Sequence, residues 1–122
     1  MERHRIDIQE RTFGFAVRGV RLVSRLPHTL AGGEIGKQAL RSAISVGANV
    51  EEADAAESKR DFVHKMGIAH KEARETRYWL RIIRTTLLDD EEVRELMREW
   101  DELVRILYAI VQKAQQGMNN EL

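Results

Sequence analysis

DDEEVRELMREWDELVRILYAIV occupies residues 89–111 and carries a clear helical period. Val93, Leu96, Met97, Trp100, Leu103, Val104, Leu107 and Val111 recur every three or four residues, so they share one face of an α-helix. Asp89, Asp90, Glu91 and Glu92 precede them. These carboxylates can cap the first turn, and they set negative charge against the positive end of the helix dipole. With Gly117 as the stop, a helix is predicted over about 90–116.

Working outward, Ser58-Lys59-Arg60-Asp61 has capping-box spacing, and no breaker follows before Leu88. That predicts a helix over about 59–88. Phe62, Ala69, Ala73 and Leu80 fall on one side of it, and Ile68, Trp79 and Ile82 on another. Before it, residues 34–57 read as a helix rich in small residues, with Leu40 and Ile44 as the larger apolar contacts. Gly47 in its middle costs roughly 1 kcal/mol against alanine, which a close neighbouring helix would justify. His28 to Gly33 reads as a loop because of its adjacent glycines. The remaining helix, about 8–26, opens at Asp7 and Glu10 and closes at Leu26-Pro27. Phe13, Ala16, Val20 and Val23 form its predicted core face.

Four long helices with short connections make an all-α, up-down-up-down four-helix bundle, read here as a single domain over 1–122. Hydrophobic residues make up 43% of the chain and charged residues 33%, enough apolar material to exclude a disordered chain. Cysteine is absent, which excludes disulfides, zinc–thiolate sites and thiol nucleophiles. The charged start lacks the apolar run of a signal peptide. Ile106–Val111 is the longest apolar run and is far too short to cross a bilayer, so a cytoplasmic protein with no membrane role is expected.

The net charge is zero, but it is segmented. Residues 1–28 carry six basic and three acidic residues, 29–58 two and five, 59–88 eight and three, and 89–122 four and nine. Antiparallel neighbours would therefore carry complementary charge.

Two helices also carry a second apolar strip: Phe15, Leu22 and Leu26 on the first, and Ile68, Trp79 and Ile82 on the third. Left on a monomer's surface, such strips would form an exposed patch, so they are the candidate interface of a homo-oligomer. A wider core within one chain is the alternative.

Arg41-Ser42-Ala43-Ile44-Ser45-Val46-Gly47-Ala48-Asn49-Val50-Glu51-Glu52-Ala53 resembles the second helix of the bacterial four-helix bundle proteins called 23S rRNA-intervening sequence proteins. Ser58-Lys59-Arg60-Asp61-Phe62-Val63-His64-Lys65-Met66 and Ala69-His70-Lys71-Glu72-Ala73-Arg74-Glu75-Thr76-Arg77-Tyr78-Trp79-Leu80 resemble its third helix, and Leu26-Pro27 sits where its first helix ends. The resemblance implies a left-handed bundle assembled as a ring-shaped homopentamer. It also implies kinship with the accessory proteins of diversity-generating retroelements, which form similar rings and bind nucleic acid. Those proteins are strongly basic, whereas this chain is neutral.

Two basic strips are candidate contacts for RNA or DNA backbone: Arg11, Arg18, Arg21 and Arg25 on the first helix, and Lys71, Arg74, Arg77, Arg81 and Arg84 on the third. Cations along a rigid helix can neutralise successive phosphates, and a ring would multiply the contact. The alternative is that they are solvated faces paired with the acidic second and fourth helices. Asp61-Phe62-Val63-His64 is the one carboxylate-x-x-His pair, and a di-iron bundle needs two, so no metal or other cofactor is expected. Glu72, Glu75 and Tyr78 read as structural ion pairs and a tyrosine hydrogen bond near the subunit seam, and Asn49 as a buried polar residue that fixes packing register. Trp79 and Trp100 read as core or interface residues rather than stacking platforms for bases. No serine triad spacing or phosphate loop occurs, so a non-enzymatic protein is expected. The two readings carried forward are an oligomeric nucleic-acid accessory factor and an oligomeric scaffold that recruits a protein partner.

Overall fold

A computed structural model describes residues 2–120, with side chains from residue 8 onward. It contains α1 (Glu2–Ser24), α2 (Leu30–Asp54), α3 (Lys59–Thr86) and α4 (Glu91–Asn120), and no strand among the described residues. All four predicted helices are present, with three ends corrected. Helix α1 starts at Glu2, which puts Asp7 inside the helix, not at its cap; the Asp7 side chain lies outside the described residues. Helix α4 continues through Gly117, because the roughly 1 kcal/mol cost of one glycine does not stop a helix.

The third correction is at α2, which begins four residues before the predicted Glu34. Thr29 is its cap: the hydroxyl accepts from Gly32 N–H at 3.1 Å, and the Thr29 carbonyl accepts from Gly33 N–H at 2.9 Å. The adjacent glycines thus belong to the first turn and not to a loop. A Cβ on Gly32 would stand 2.1 Å from the Pro27 carbonyl oxygen, so the chain can fold back this tightly only without a side chain there. Gly36 marks a second close approach, where a Cβ would meet Val23 Cγ1 at 3.1 Å and Leu26 Cδ1 at 3.2 Å. At Gly47 the same atom would sit 3.5 Å from the Thr12 carbonyl, an ordinary contact. The close packing expected at Gly47 therefore lies further toward the α2 start.

Ser58 caps α3, its hydroxyl accepting from Asp61 N–H at 3.0 Å, and Asp90 accepts from Val93 N–H at 3.0 Å in the first turn of α4. Contacts between neighbouring helices run in opposite sequence order. Gly19 meets Ala43 and Gly47 meets Thr12 across α1 and α2. Arg41 reaches Glu72 while Glu52 reaches Lys65 across α2 and α3. Arg77 reaches Asp101 while Arg84 reaches Asp89 across α3 and the start of α4.

The α4 stripe packs as predicted: Val93, Leu96, Trp100, Leu103, Val104, Leu107 and Val111 are buried. Trp100 is 1% exposed, stands edge-on to Phe15 with ring centroids 4.9 Å apart, and donates Nε1–H to the Ala73 carbonyl at 2.7 Å. One residue thereby ties α1, α3 and α4 together. Ser42 and Thr76 are buried polar residues with their bonds made: the Thr76 hydroxyl donates to Ser42 Oγ at 2.7 Å, and Ser42 donates to the Ala39 carbonyl at 3.1 Å.

Helix α1 reverses the predicted assignment of its two apolar strips. Phe15, Leu22 and Leu26, expected between subunits, are buried in the chain's own core, whereas Phe13 is 65% and Val20 46% exposed. The inward stripe is Ile8, Thr12, Phe15, Gly19 and Leu22, continued by Leu26 just past the helix, a regular alternation of four and three residues in which all but the partly exposed Gly19 are buried. Gly19 on that stripe faces Ala43, and Thr12, 1% exposed, satisfies its hydroxyl on the Ile8 carbonyl at 2.8 Å.

Candidate subunit and nucleic-acid interfaces

The first basic strip is largely committed within the chain. Arg11 pairs with Glu102 at 3.5 Å, Arg18 with Glu99, and Arg25 with Asp90 and, at 3.1 Å, Glu92. Arg11 and Arg18 on α1, and Arg25 just past its end, thus meet the acidic side of α4, as the charge segmentation led one to expect. Exposed pairs of this kind contribute little to stability, so their main effect is on register. Arg21 stands apart, exposed and without an ion pair among the described residues.

Asp90 holds both the α4 cap and Arg25. The Val93 N–H and then the Arg25 guanidinium hold its carboxyl below the usual value of 3.8. Asp89 is likewise lowered, first by its hydrogen bond from Arg94 and further by Arg84. A carboxylate whose folded pKa is depressed stabilises the fold above the unfolded value and loses that contribution as pH falls through the folded one. Asp90→Asn keeps a capping residue and removes the charge. Its melting temperature should therefore lie below the wild type's at pH 7, and the gap should close as pH falls below 3.8. A gap that persists unchanged at pH 2 would contradict this.

On α3 the strip divides. Arg77 pairs with Asp101 at 3.7 Å and Arg84 with Asp89 at 3.3 Å. Lys71, Arg74 and Arg81 are exposed and make no ion pair among the described residues. Three cations of the α3 strip are therefore available to a phosphate, and Arg105 of α4, which the sequence reading did not single out, is likewise exposed and without an ion pair among the described residues.

Apolar surface lies on two separate faces. Gly19 and Ala43 bring α1 and α2 together, and Val20 and Ile44 follow them in sequence. Because the two helices run in opposite sequence order, the next residue on each turns about 100° to the same outer side. Phe13 (65%), Val20 (46%) and Ile44 (48%) are exposed there. Ile44, expected as a packing residue, instead belongs to this surface.

The other face is on α3, where Ile68, Trp79 and Ile82 are half-buried and Tyr78 is 57% exposed. Trp79 donates Nε1–H to Glu75 at 3.0 Å. Arg41 clamps both Glu75 and, at 3.3 Å, Glu72. Glu72 and Glu75 are thus structural ion-pair residues. Tyr78 makes an edge contact to the Trp79 ring, centroids 5.4 Å apart, in place of the expected hydrogen bond among the described residues. Asn49 is half-buried and bonds locally to the Ser45 carbonyl at 2.9 Å. Asp61 and His64 lie near the start of α3, and no cluster of three metal-ligating side chains forms among the described residues. No helix among them is long and apolar enough to cross a membrane.

No curated protein matches the chain. Among solved structures, a protein of unknown function from the S23 ribosomal protein family of Bacteroides thetaiotaomicron is similar. It is 35% identical with a TM-score of 0.81, and the match covers 89% of this chain and 98% of that one. Residues 4–109 match the family described as 23S rRNA-intervening sequence protein. The chain belongs to the 23S rRNA-intervening sequence protein family.

Proposed function

We propose that this chain is a non-enzymatic subunit of a ring-shaped homo-oligomer, each copy an up-down-up-down left-handed bundle. The observation that carries this reading is the exposed set Phe13, Val20 and Ile44, which leaves large apolar groups partly in water on one outer face. The partly buried Ile68, Trp79 and Ile82 lie on a different helix, so pairing the one face with the other joins copies head to tail. A head-to-tail contact whose rotation closes generates a ring, and five is the number that the family resemblance implies. Native mass spectrometry should find an assembly of five copies of 14.1 kDa. A chain that stays monomeric at tens of micromolar would refute the reading.

A second element rests on the unpaired Lys71, Arg74 and Arg81. Repeated around a ring, these cations would hold RNA or DNA backbone without reading its sequence. Binding to single-stranded RNA and DNA, followed by fluorescence anisotropy, should weaken steeply with salt. Replacing the three by glutamine should lower the salt slope by up to about 2–3 for each chain engaged. Retention unchanged by the triple substitution would instead favour the scaffold that recruits a protein partner.

A further inference from the structure

Between α3 and α4 runs an open groove of about 490 Å³ lined by His70, Arg74, Val104, Arg105 and Tyr108. Its volume falls in the range of ordinary small-molecule sites, roughly 300–1,000 Å³. Two kinds of group converge in it. Arg74 and Arg105, one from each helix, make no ion pair among the described residues. The nearby carboxylates are engaged elsewhere, Asp101 with Arg77 at 3.7 Å and Glu102 with Arg11 at 3.5 Å. Tyr108 is 53% exposed, and its ring is backed by His70 with centroids 5.6 Å apart and planes tilted by 50°. His70 titrates below its usual value, chiefly through burial and further through Arg74 and Arg77, so its ring backs the tyrosine uncharged at neutral pH.

Unpaired cations alone call for an anion, and an exposed aromatic face alone calls for a planar or apolar group. Their juxtaposition calls for a ligand with both, a flat ring carrying a phosphate. We propose that this groove takes one nucleotide of a single-stranded nucleic acid, with its base on Tyr108 and its phosphate between Arg74 and Arg105. A base held in a duplex has no free face to offer, so the site selects single strands. The groove lies roughly a third of a turn around α3 from the Ile68, Trp79 and Ile82 strip, apart from the proposed subunit contact. The inference rests on the nucleic-acid reading of α3, and it adds a base contact to what would otherwise be backbone binding.

The test compares, at low salt, a fluorescent 12-nucleotide single strand with an abasic strand carrying the same phosphates. The base-bearing strand should bind the full-length protein about tenfold more tightly or better. Tyr108→Ala should erase that difference, Tyr108→Trp should restore it, and Arg105→Gln should weaken both strands alike. Competition by a nucleoside monophosphate but not by ribose 5-phosphate would also support the base contact. Equal affinity for the two strands, or a Tyr108→Ala protein with unchanged preference, overturns this proposal while leaving backbone binding intact. A monophosphate that binds more tightly than the strand overturns the strand assignment in favour of a free nucleotide. Failure of both strands to bind sinks the base contact and the backbone reading together.

Discussion

Trp100→Ala should cost about 3–5 kcal/mol of unfolding free energy, the range for deleting a buried large aromatic. The indole is 1% exposed, lies edge-on to Phe15, and donates to the Ala73 carbonyl. Truncation therefore opens a cavity where α1, α3 and α4 meet and also removes a buried hydrogen bond. A domain of this size has about 5–15 kcal/mol in total, so the variant should unfold at much lower denaturant. Trp100→Phe keeps the ring contact and loses the N–H, and should cost less than half as much. Denaturant titration followed by circular dichroism measures both. A loss below about 1 kcal/mol in the alanine variant would mean that the three helices do not share this anchor.

Gly32→Ala is the second large effect, and the smallest change that produces one. Its Cβ would lie 2.1 Å from the Pro27 carbonyl oxygen, a backbone atom that cannot rotate away. Either the Pro27–Thr29 turn or the first turn of α2 must shift, at a cost of about 1–3 kcal/mol. Gly33→Ala is the matched control, since nothing lies within 4 Å of its Cβ. There the substitution should be neutral or stabilising by up to about 1 kcal/mol, because alanine is the better helix former and the unfolded chain has less freedom to lose. Equal effects at the two positions would contradict the close approach of Gly32 to Pro27.

What could be read from the sequence follows how each element is encoded. Helix α4 was legible because its buried stripe consists almost wholly of large apolar residues, from Val93 to Val111. The register of α1 was hidden because two positions of its inward stripe are Thr12 and Gly19, which look like gaps in an apolar pattern. Phe13 and Val20 offered a more continuous apolar face, and that face proves to be the exposed one. At α2 the paired glycines imitated a loop; the signal that could have corrected this was Thr29, three residues before Gly32.

The candidate surfaces show a similar division. Sequence gave the periodicity of the arginines but not which carboxylate each would face, since that depends on the register between helices. Arg11, Arg18 and Arg25 were as good candidates as Arg74 and Arg81 until α4 was set beside α1. The groove of His70, Arg74, Arg105 and Tyr108 joins residues more than thirty positions apart, so spacing alone could not bring it together.

The proposed head-to-tail self-association through two different faces is best tested by mixing two variants. One variant, Phe13→Asp with Ile44→Asp, disables the α1/α2 face, and another, Ile68→Asp with Ile82→Asp, disables the α3 face. All four residues are partly or largely exposed, so both variants should stay folded by circular dichroism. Each variant alone should be monomeric at 14.1 kDa by native mass spectrometry. Mixed, they retain one good copy of each face and should form a dimer of one chain of each kind and nothing larger. Homodimers of either variant, or a ring that survives in either, would contradict the account.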